Sequence, residues 1–373
     1  MPQGPRTVGA SVVLAFLGAV AAVEAWAVHA RDADFVLPDP FHPLVLGALA
    51  VFAAGVLLRA SAARTVCFTL ALAVPVGLVA YEARLASRGA TSQRLEVTSD
   101  PLLRYRYRPG PMPSRLPDAA EPDVTPEGLW DLPHALERRA DTWRVVVLGD
   151  SVPNDGSIAF EARFPRRLEA LLAERAPDGR RVEVMNVSCE GYNTQQEVRL
   201  FETVGRKYRP DLVVVAYVLN DPFLQNGAYR RMGNSYFTFT LGPLAQHLAG
   251  GSMCGLFAPM HQGYSFDLVV RQSLERLRLL AEADGFRVLV APLPIVERFD
   301  DPICLGLYDQ VQSVARAQGF AVARVADAFR GEDPRRYAKP NERFDVTHPN
   351  AAGHERIAQS LADAVLPLLP LPR

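Results

Sequence analysis

The sequence predicts a three-layer α/β/α domain built on a doubly wound parallel sheet and preceded by three transmembrane helices. Three observations carry this expectation. Runs such as Val145-Val146-Val147-Leu148 are apolar without alternation, as strands covered on both faces are. They alternate with longer amphipathic stretches, the pattern of consecutive βαβ units. Residues before about Tyr81 are almost uniformly apolar, whereas the remainder has an ordinary soluble composition.

Length and charge bound the alternatives. A chain of 373 residues has room for about two domains at ~150 residues each. Forty Lys and Arg against 41 Asp and Glu leave a formal charge of -1, which excludes an electrostatic case for nucleic acid. The hydrophobic content of 49% is an average over two very different regions.

The first region, 1–82, reads as a membrane domain. Its apolar runs are Val8 to His29, Pro43 to Leu58 and Thr65 to Tyr81. A span needs ~20 mostly apolar residues to cross ~30 Å of hydrocarbon. The first run meets this, with Glu24 left to snorkel or pair. The other two lie near the lower limit, and the short connector Arg59 to Arg64 makes them a helical hairpin. A second reading makes the first run a cleaved signal peptide ending near Val28-His29-Ala30, although Arg6 alone is a thin basic region. Arg6 precedes the first span and Arg59 and Arg64 lie between the second and third, while Asp32, Asp34 and Asp39 outnumber Arg31 in the intervening loop. Basic residues of short loops stay inside, so the chain after Tyr81 is expected outside the cytoplasm, despite Arg84 and Arg88.

From 83 to 141 the chain is rich in proline, including Pro101, Pro109, Pro111, Pro122, Pro126 and Pro133. Proline at this density forbids long helices and central strands. The segment is expected to be an extended extracytoplasmic linker, with Leu102 to Tyr107 able to join the domain as an edge strand. The catalytic domain is then 142–373. Its strands are predicted at Arg144–Leu148, Val182–Val187, Leu212–Val218, Arg287–Ala291 and Ala321–Val325. Its helices are predicted at Phe160–Glu174, Gln195–Tyr208, Leu268–Ala283, Leu307–Gln318 and Ala351–Leu366. Ligands of such sheets bind beyond the carboxyl ends of the strands.

Four polar clusters fall at those ends: Gly149-Asp150-Ser151 after the first strand, Asn186 to Tyr192 after the second, Leu219-Asn220-Asp221 after the third, and Asp345-Val346-Thr347-His348 before the last helix. Singly, each is ordinary turn chemistry. Together they supply every part of acyl transfer. A serine (Ser151) needs a base (His348), the base needs an orienting carboxylate (Asp345), and the oxyanion needs fixed donors (Gly191 and Asn220).

In these blocks the sequence resembles the SGNH (GDSL) hydrolases, whose four motifs carry Ser, Gly, Asn and His in that order. The resemblance runs from about Arg144 to the C-terminus. It implies Ser151 as nucleophile, His348 as base then acid, Asp345 as its orienter, and an oxyanion hole from the Ser151 and Gly191 N–H groups and the Asn220 amide. Two departures stand out. Val218 occupies a position where the family usually has glycine, and Val152-Pro153-Asn154-Asp155-Gly156 differs from the commoner sequence after the serine.

Other residues read as supporting parts. Asp150 is expected to brace its loop, and His354 to be a helix-surface residue rather than a metal ligand, since no cluster has metal-ligand spacing. No cofactor is expected. Cys67 falls in a span, and Cys254 with Cys304 is the preferred disulfide of the exported part. The aromatic stretch 222–266 reads equally as a lid and as a folded insertion. The leading expectation is an extracytoplasmic esterase acting on an acylated glycan or lipid of the cell envelope, acetyl being one such acyl group. The alternatives are an O-acyltransferase working beside membrane acyl-transfer partners, and a non-catalytic binder of envelope polymer.

Overall fold

The computed structural model describes residues 52, 55–57, 61–73, 94–112, 116, 120–176, 179–222, 251–339 and 345–369. The chain divides into two compact units, 1–93 with 227–242, and 94–226 with 243–373. In the first unit a helix covers 61–73. The Thr65 and Thr69 hydroxyls donate to the carbonyls of Ser61 and Thr65 at 3.0 and 2.9 Å, satisfying themselves on their own helix. Val66, Leu70 and Leu72 are exposed on it. Among the described residues no helix is long and apolar enough to cross a membrane. The expected first span, Val8 to His29, lies outside the described residues, as do most of the second and 74–81 of the third.

The second unit carries the expected parallel sheet. Two short strands come first, β1 (Leu95–Val97) and β2 (Tyr105–Tyr107), followed by β3 (Thr142–Gly149), β4 (Arg181–Ser188), β5 (Leu212–Val215), β6 (Arg287–Val290) and β7 (Ala321–Val322). The last five form one sheet in the order β4-β3-β5-β6-β7, every neighbouring pair parallel. Each residue of β3 is buried, as a central strand covered on both faces requires. The chain order reverses between β3 and β5, the crevice where ligands of doubly wound sheets bind.

Five main helices cover the sheet: α1 (Phe164–Arg175), α2 (Thr194–Thr203), α3 (Gln272–Asp284), α4 (Pro302–Ala317) and α5 (Ala351–Val365). Phe164, Leu168 and Leu172 of α1 and Ile357, Leu361 and Val365 of α5 share one core with Trp143, Val145 and Val147. Side chains alternate along a strand, so the buried Val146 and Leu148 serve the opposite layer. Several helix starts follow their caps. Asn193 and Gln196 form a capping box on α2, Asp301 accepts from the Ile303 and Cys304 N–H groups, and Asn350 accepts from Gly353 N at 3.1 Å. Asp301-Pro302 explains why α4 begins five residues before the expected Leu307, since an Asp cap with Pro at the first turn is a strong start signal.

Two expectations about the proline-rich stretch differ from the structure. Residues 105–107 do not join the main sheet at its edge. They pair antiparallel with 95–97 in a separate two-stranded sheet. The proline-rich stretch also does more than extend. Leu95, Leu103, Tyr107, Val124, Leu129 and Trp130 are all buried, and the buried Arg163 lies 4.0 Å over the Trp130 ring while donating to Glu121 at 2.7 Å. Apolar anchors at irregular spacing hold this segment as a strap on the domain.

Cys254 and Cys304 are joined by a disulfide. It ties the short helix Met253–Phe257 to the start of α4. Cys189 is a buried free thiol.

Candidate active site

Ser151 follows β3 directly. Gly149, the last residue of that strand, has no room for a side chain, because a Cβ there would lie 2.6 Å from Pro153 Cγ. This contact gives the unusual sequence after the serine a purpose: Pro153 closes the turn against Gly149. The next residue ties the turn to the neighbouring strand. Asn154 Nδ2 donates to the carbonyl and hydroxyl of Ser188, each at 2.9 Å, and Asn154 Oδ1 accepts from Asn186 at 2.7 Å. Asp150 braces the loop, as expected. Its carboxylate accepts from Val152 N at 3.0 Å and from Asn220 Nδ2 at 3.3 Å.

Asp345 and His348 reach the serine from the loop before α5. His348 Nε2 lies 2.7 Å from Ser151 Oγ, and His348 Nδ1 lies 2.8 and 2.9 Å from the two Asp345 oxygens. The same carboxylate accepts from the backbone N–H groups of Thr347 and His348 at 3.3 and 3.0 Å, which fixes the acid before it fixes the ring. Burial would depress the basicity of His348, but the Asp345 carboxylate and, behind it, Asp155 push its pKa up to about 9. The three groups form a continuous chain of hydrogen bonds able to move a proton from a serine hydroxyl.

Asn220 follows β5 across the crevice, and its amide reaches the Asp150 carboxylate. Gly191 sits in the loop after β4 with φ of +72°, a left-handed conformation that costs glycine least. Val218 is buried, and its N–H donates to Asp221 Oδ2 at 3.3 Å, so the side chain replacing the usual glycine faces the core.

Several neighbours of this chain of residues were not expected. His354 is fully buried, which corrects its placement on the helix surface. Its Nδ1 accepts from Phe164 N at 3.1 Å, and its Nε2 faces Asp155 Oδ2 at 3.8 Å. Lys339 lies 2.9 Å from the same Asp155 oxygen and 3.4 Å from Asp345 Oδ2, bridging the two acids. Burial pushes Asp155 up, but His354, His348 and Lys339 hold it far below the usual carboxylate range. Asp150, Asp221 and Glu197 are completely buried, and burial with repulsion among them drives Asp221 and Glu197 well above that range. A helix position six residues beyond His348 gave no sign of inward orientation, although the spacing of Gly353, Ile357 and Leu361 around His354 could have. No group of His, Cys, Asp and Glu among the described residues has the arrangement of a metal site.

A nucleophile-base-acid chain at the switch point of a doubly wound sheet defines a serine hydrolase acting on esters. Residues 147–356, more than half of the chain, match the GDSL-like lipase/acylhydrolase family, and the protein belongs to that family. Among solved structures it is similar to TesA, with 18% identity over 61% of this chain and 99% of that one and a TM-score of 0.40. It is similar to LAE5, an alpha/beta hydrolase enzyme from the metagenome of Lake Arreo, Spain, with 18% identity over 61% and 97% of the two chains and a TM-score of 0.41. A catalytic mutant of Axe2, an acetylxylan esterase from Geobacillus stearothermophilus, shows 16% identity over 60% and 94%, also with a TM-score of 0.41. No curated protein matches the sequence.

Proposed function

We propose that the protein is a membrane-anchored extracytoplasmic esterase that removes acyl groups from a glycan or lipid of the cell envelope, with Ser151, His348 and Asp345 as its catalytic triad. The observation that carries the triad is the unbroken hydrogen-bond chain from Ser151 Oγ through His348 to Asp345. Ser151 Oγ attacks the acyl carbonyl as its proton passes to His348 Nε2. Asp345 holds the Nδ1–H tautomer and stabilises the imidazolium. The carbonyl oxygen becomes an oxyanion held by the Ser151 and Gly191 N–H groups and the Asn220 amide. Collapse breaks the ester C–O bond, and His348 returns its proton to the leaving alkoxide. Water, deprotonated by His348, then attacks the acyl carbonyl, and as the bond to Ser151 Oγ breaks His348 returns the proton to that oxygen and the acid leaves.

Two observations support the compartment. The short-loop arginines Arg6, Arg59 and Arg64 favour export of the chain after the third apolar run. The Cys254–Cys304 disulfide is of the kind that persists in oxidising compartments.

The test combines activity with topology. Ser151→Ala is expected to abolish hydrolysis of p-nitrophenyl esters and labelling by a fluorophosphonate, and near-wild-type turnover by that variant would refute the triad. A reporter active only after export, fused behind Arg373, is expected to be active. A reporter active there only in the cytoplasm would remove envelope polymers as substrates.

A further inference from the structure

We propose that Tyr105, in the strap that precedes the catalytic domain, is a positioning residue of the oxyanion hole: its hydroxyl fixes the plane of the peptide whose N–H is the Gly191 donor. The proposal rests on the catalytic reading above. The residue lies outside the matched family region, 147–356, so the device belongs to this chain's own N-terminal strap.

The argument begins with one peptide group. The carbonyl of Glu190 and the N–H of Gly191 belong to a single rigid plane, and in a trans peptide they point to opposite sides. The chain has no cis peptide bonds among its described residues. Whatever holds Glu190 O therefore sets the direction of Gly191 N–H. Tyr105 Oη donates to Glu190 O at 3.1 Å. The preceding peptide is held as well, since Glu190 N donates to Tyr107 Oη at 3.1 Å. Tyr105 and Tyr107 are two apart on β2, so their side chains leave one face of the strand. Two successive hydroxyls thus hold two successive peptides of the loop.

The strap is itself held on the loop and the helix that follows it. Tyr192 Oη donates to Tyr105 O, and the two rings meet edge to face at 5.2 Å. Gln196 Nε2 donates to Leu103 O at 3.0 Å, Arg199 Nε donates to Asp100 Oδ2 at 2.9 Å, and Arg94 lies 3.6 Å from Glu190 Oε2. The loop needs such support because Gly191, with φ of +72°, has left the strand ladder, and glycine is the residue with the widest conformational choice. A donor on the carbonyl also polarises the amide, strengthening the N–H at its other end. The bond therefore aims the Gly191 donor and makes it a better one.

The decisive variant is Tyr105→Phe, which keeps the ring against Tyr192 and removes only the donor. Loss of a direct oxyanion donor costs ~10²–10³-fold in kcat, so loss of its support is expected to cost about tenfold, with KM and the thermal midpoint little changed. Arg199→Met serves as the strap control, because it cuts the contact with Asp100 and leaves Glu190 untouched. It is expected to keep kcat within twofold. A wild-type kcat for Tyr105→Phe, or equal losses in the two variants, would overturn the proposal. If Tyr105→Phe fails to fold, 3-fluorotyrosine at position 105 retains ring and hydroxyl and donates more strongly. Below its ionisation it is expected to raise kcat, and an unchanged kcat overturns the proposal. Ser151→Ala separates the two levels. Activity surviving it refutes the triad, whereas activity lost in it but intact in Tyr105→Phe refutes only the role of Tyr105.

Discussion

The two ends of β3 treat buried ionisable groups in opposite ways. Near its start, Arg144 is 1% exposed, yet each guanidinium nitrogen has an acceptor: Nε donates to Glu183 at 2.7 Å, one terminal nitrogen to the carbonyls of Leu136 and Tyr208, the other to those of Ala135 and Glu137. Just past its end, Asp150 lies beside Asp221 and Glu197, where both Glu197 oxygens and one Asp221 oxygen are buried with no hydrogen-bond partner among the described residues. A buried charge is tolerated when its hydrogen bonds are complete, and a buried carboxyl without partners is costly even while it keeps its proton. The first end closes the strap's final stretch onto the sheet. The second retains an unfavourable cluster that includes the chain neighbours of Ser151 and Asn220, Asp150 and Asp221. Unfavourable burial of this kind persists where function requires it.

Breaking the satisfied end is expected to have the largest effect. Arg144→Met would leave four carbonyls and Glu183 without their donor and should lower stability by about 3–5 kcal/mol, read by denaturant unfolding. The Ser151–His348 geometry lies at the other end of the strand, so folded variant protein should retain its turnover. A loss below about 1 kcal/mol would show that the complete hydrogen bonding of Arg144 is not what sets the two ends apart.

At the unsatisfied end, the next effect is on rate rather than stability. Asn220→Ala removes a donor used most strongly in the transition state and should lower kcat by ~10²–10³-fold with a modest change in KM. An effect confined to KM would make Asn220 a substrate-binding residue instead.

A smaller effect sharpens the electrostatics around the base. His348 must be neutral to take the serine proton, so kcat/KM is expected to rise with pH through a limb near pH 9, the value to which its pKa is raised. Asp345, Asp155, Lys339, Asp150 and His354 are the charged or titratable groups that act on it or on its partner acids. Lys339 disfavours the imidazolium, and Asp155 favours it. Lys339→Met should therefore move the limb to higher pH and Asp155→Asn to lower pH. Shifts in the same direction would contradict this arrangement.

The contrast between the ends also explains what the sequence made legible. Strands such as Val145–Leu148 are legible because a strand covered on both faces must be apolar throughout. The triad is legible because its chemistry needs particular residue types at strand ends. The strap is only partly so: Tyr105 and Tyr107 keep the two-residue spacing of a strand, but Leu103, Val124 and Trp130 dock at spacings set by the surface beneath them and not by a helical or strand period. His354 is not legible because a histidine after a catalytic loop looks solvent-facing, whereas its inward orientation depends on Asp155 and Phe164, 199 and 190 residues away in sequence. The acid cluster is invisible for the same reason, since Asp150, Glu197 and Asp221 each look like surface carboxylates until the fold brings them together.

An effect that is smallest near pH 4 and grows above it tests whether that cluster is unfavourable, as the lack of partners for its oxygens among the described residues implies. Burial, then the charges of Asp221 and Asp150, raises the Glu197 pKa well above its ordinary value, so the folded protein keeps this proton while the unfolded chain releases it above about pH 4–5. The unfolded state then binds fewer protons, and stability falls as pH rises above that range. Glu197→Gln keeps the shape and removes the ionisation. It should leave stability nearly unchanged near pH 4 and improve on the wild type progressively at higher pH, at a rate on the order of 1 kcal/mol per pH unit until the folded carboxyl itself ionises. Urea unfolding of both proteins between pH 4 and pH 8 measures the difference. Parallel stability–pH curves would mean that Glu197 ionises alike in folded and unfolded chains, and a curve for the variant lying below the wild type throughout would mean that the carboxyl is satisfied where it sits. Either result would remove the distinction between the two ends of β3, because the site would then hold its acids as comfortably as the opposite end holds Arg144.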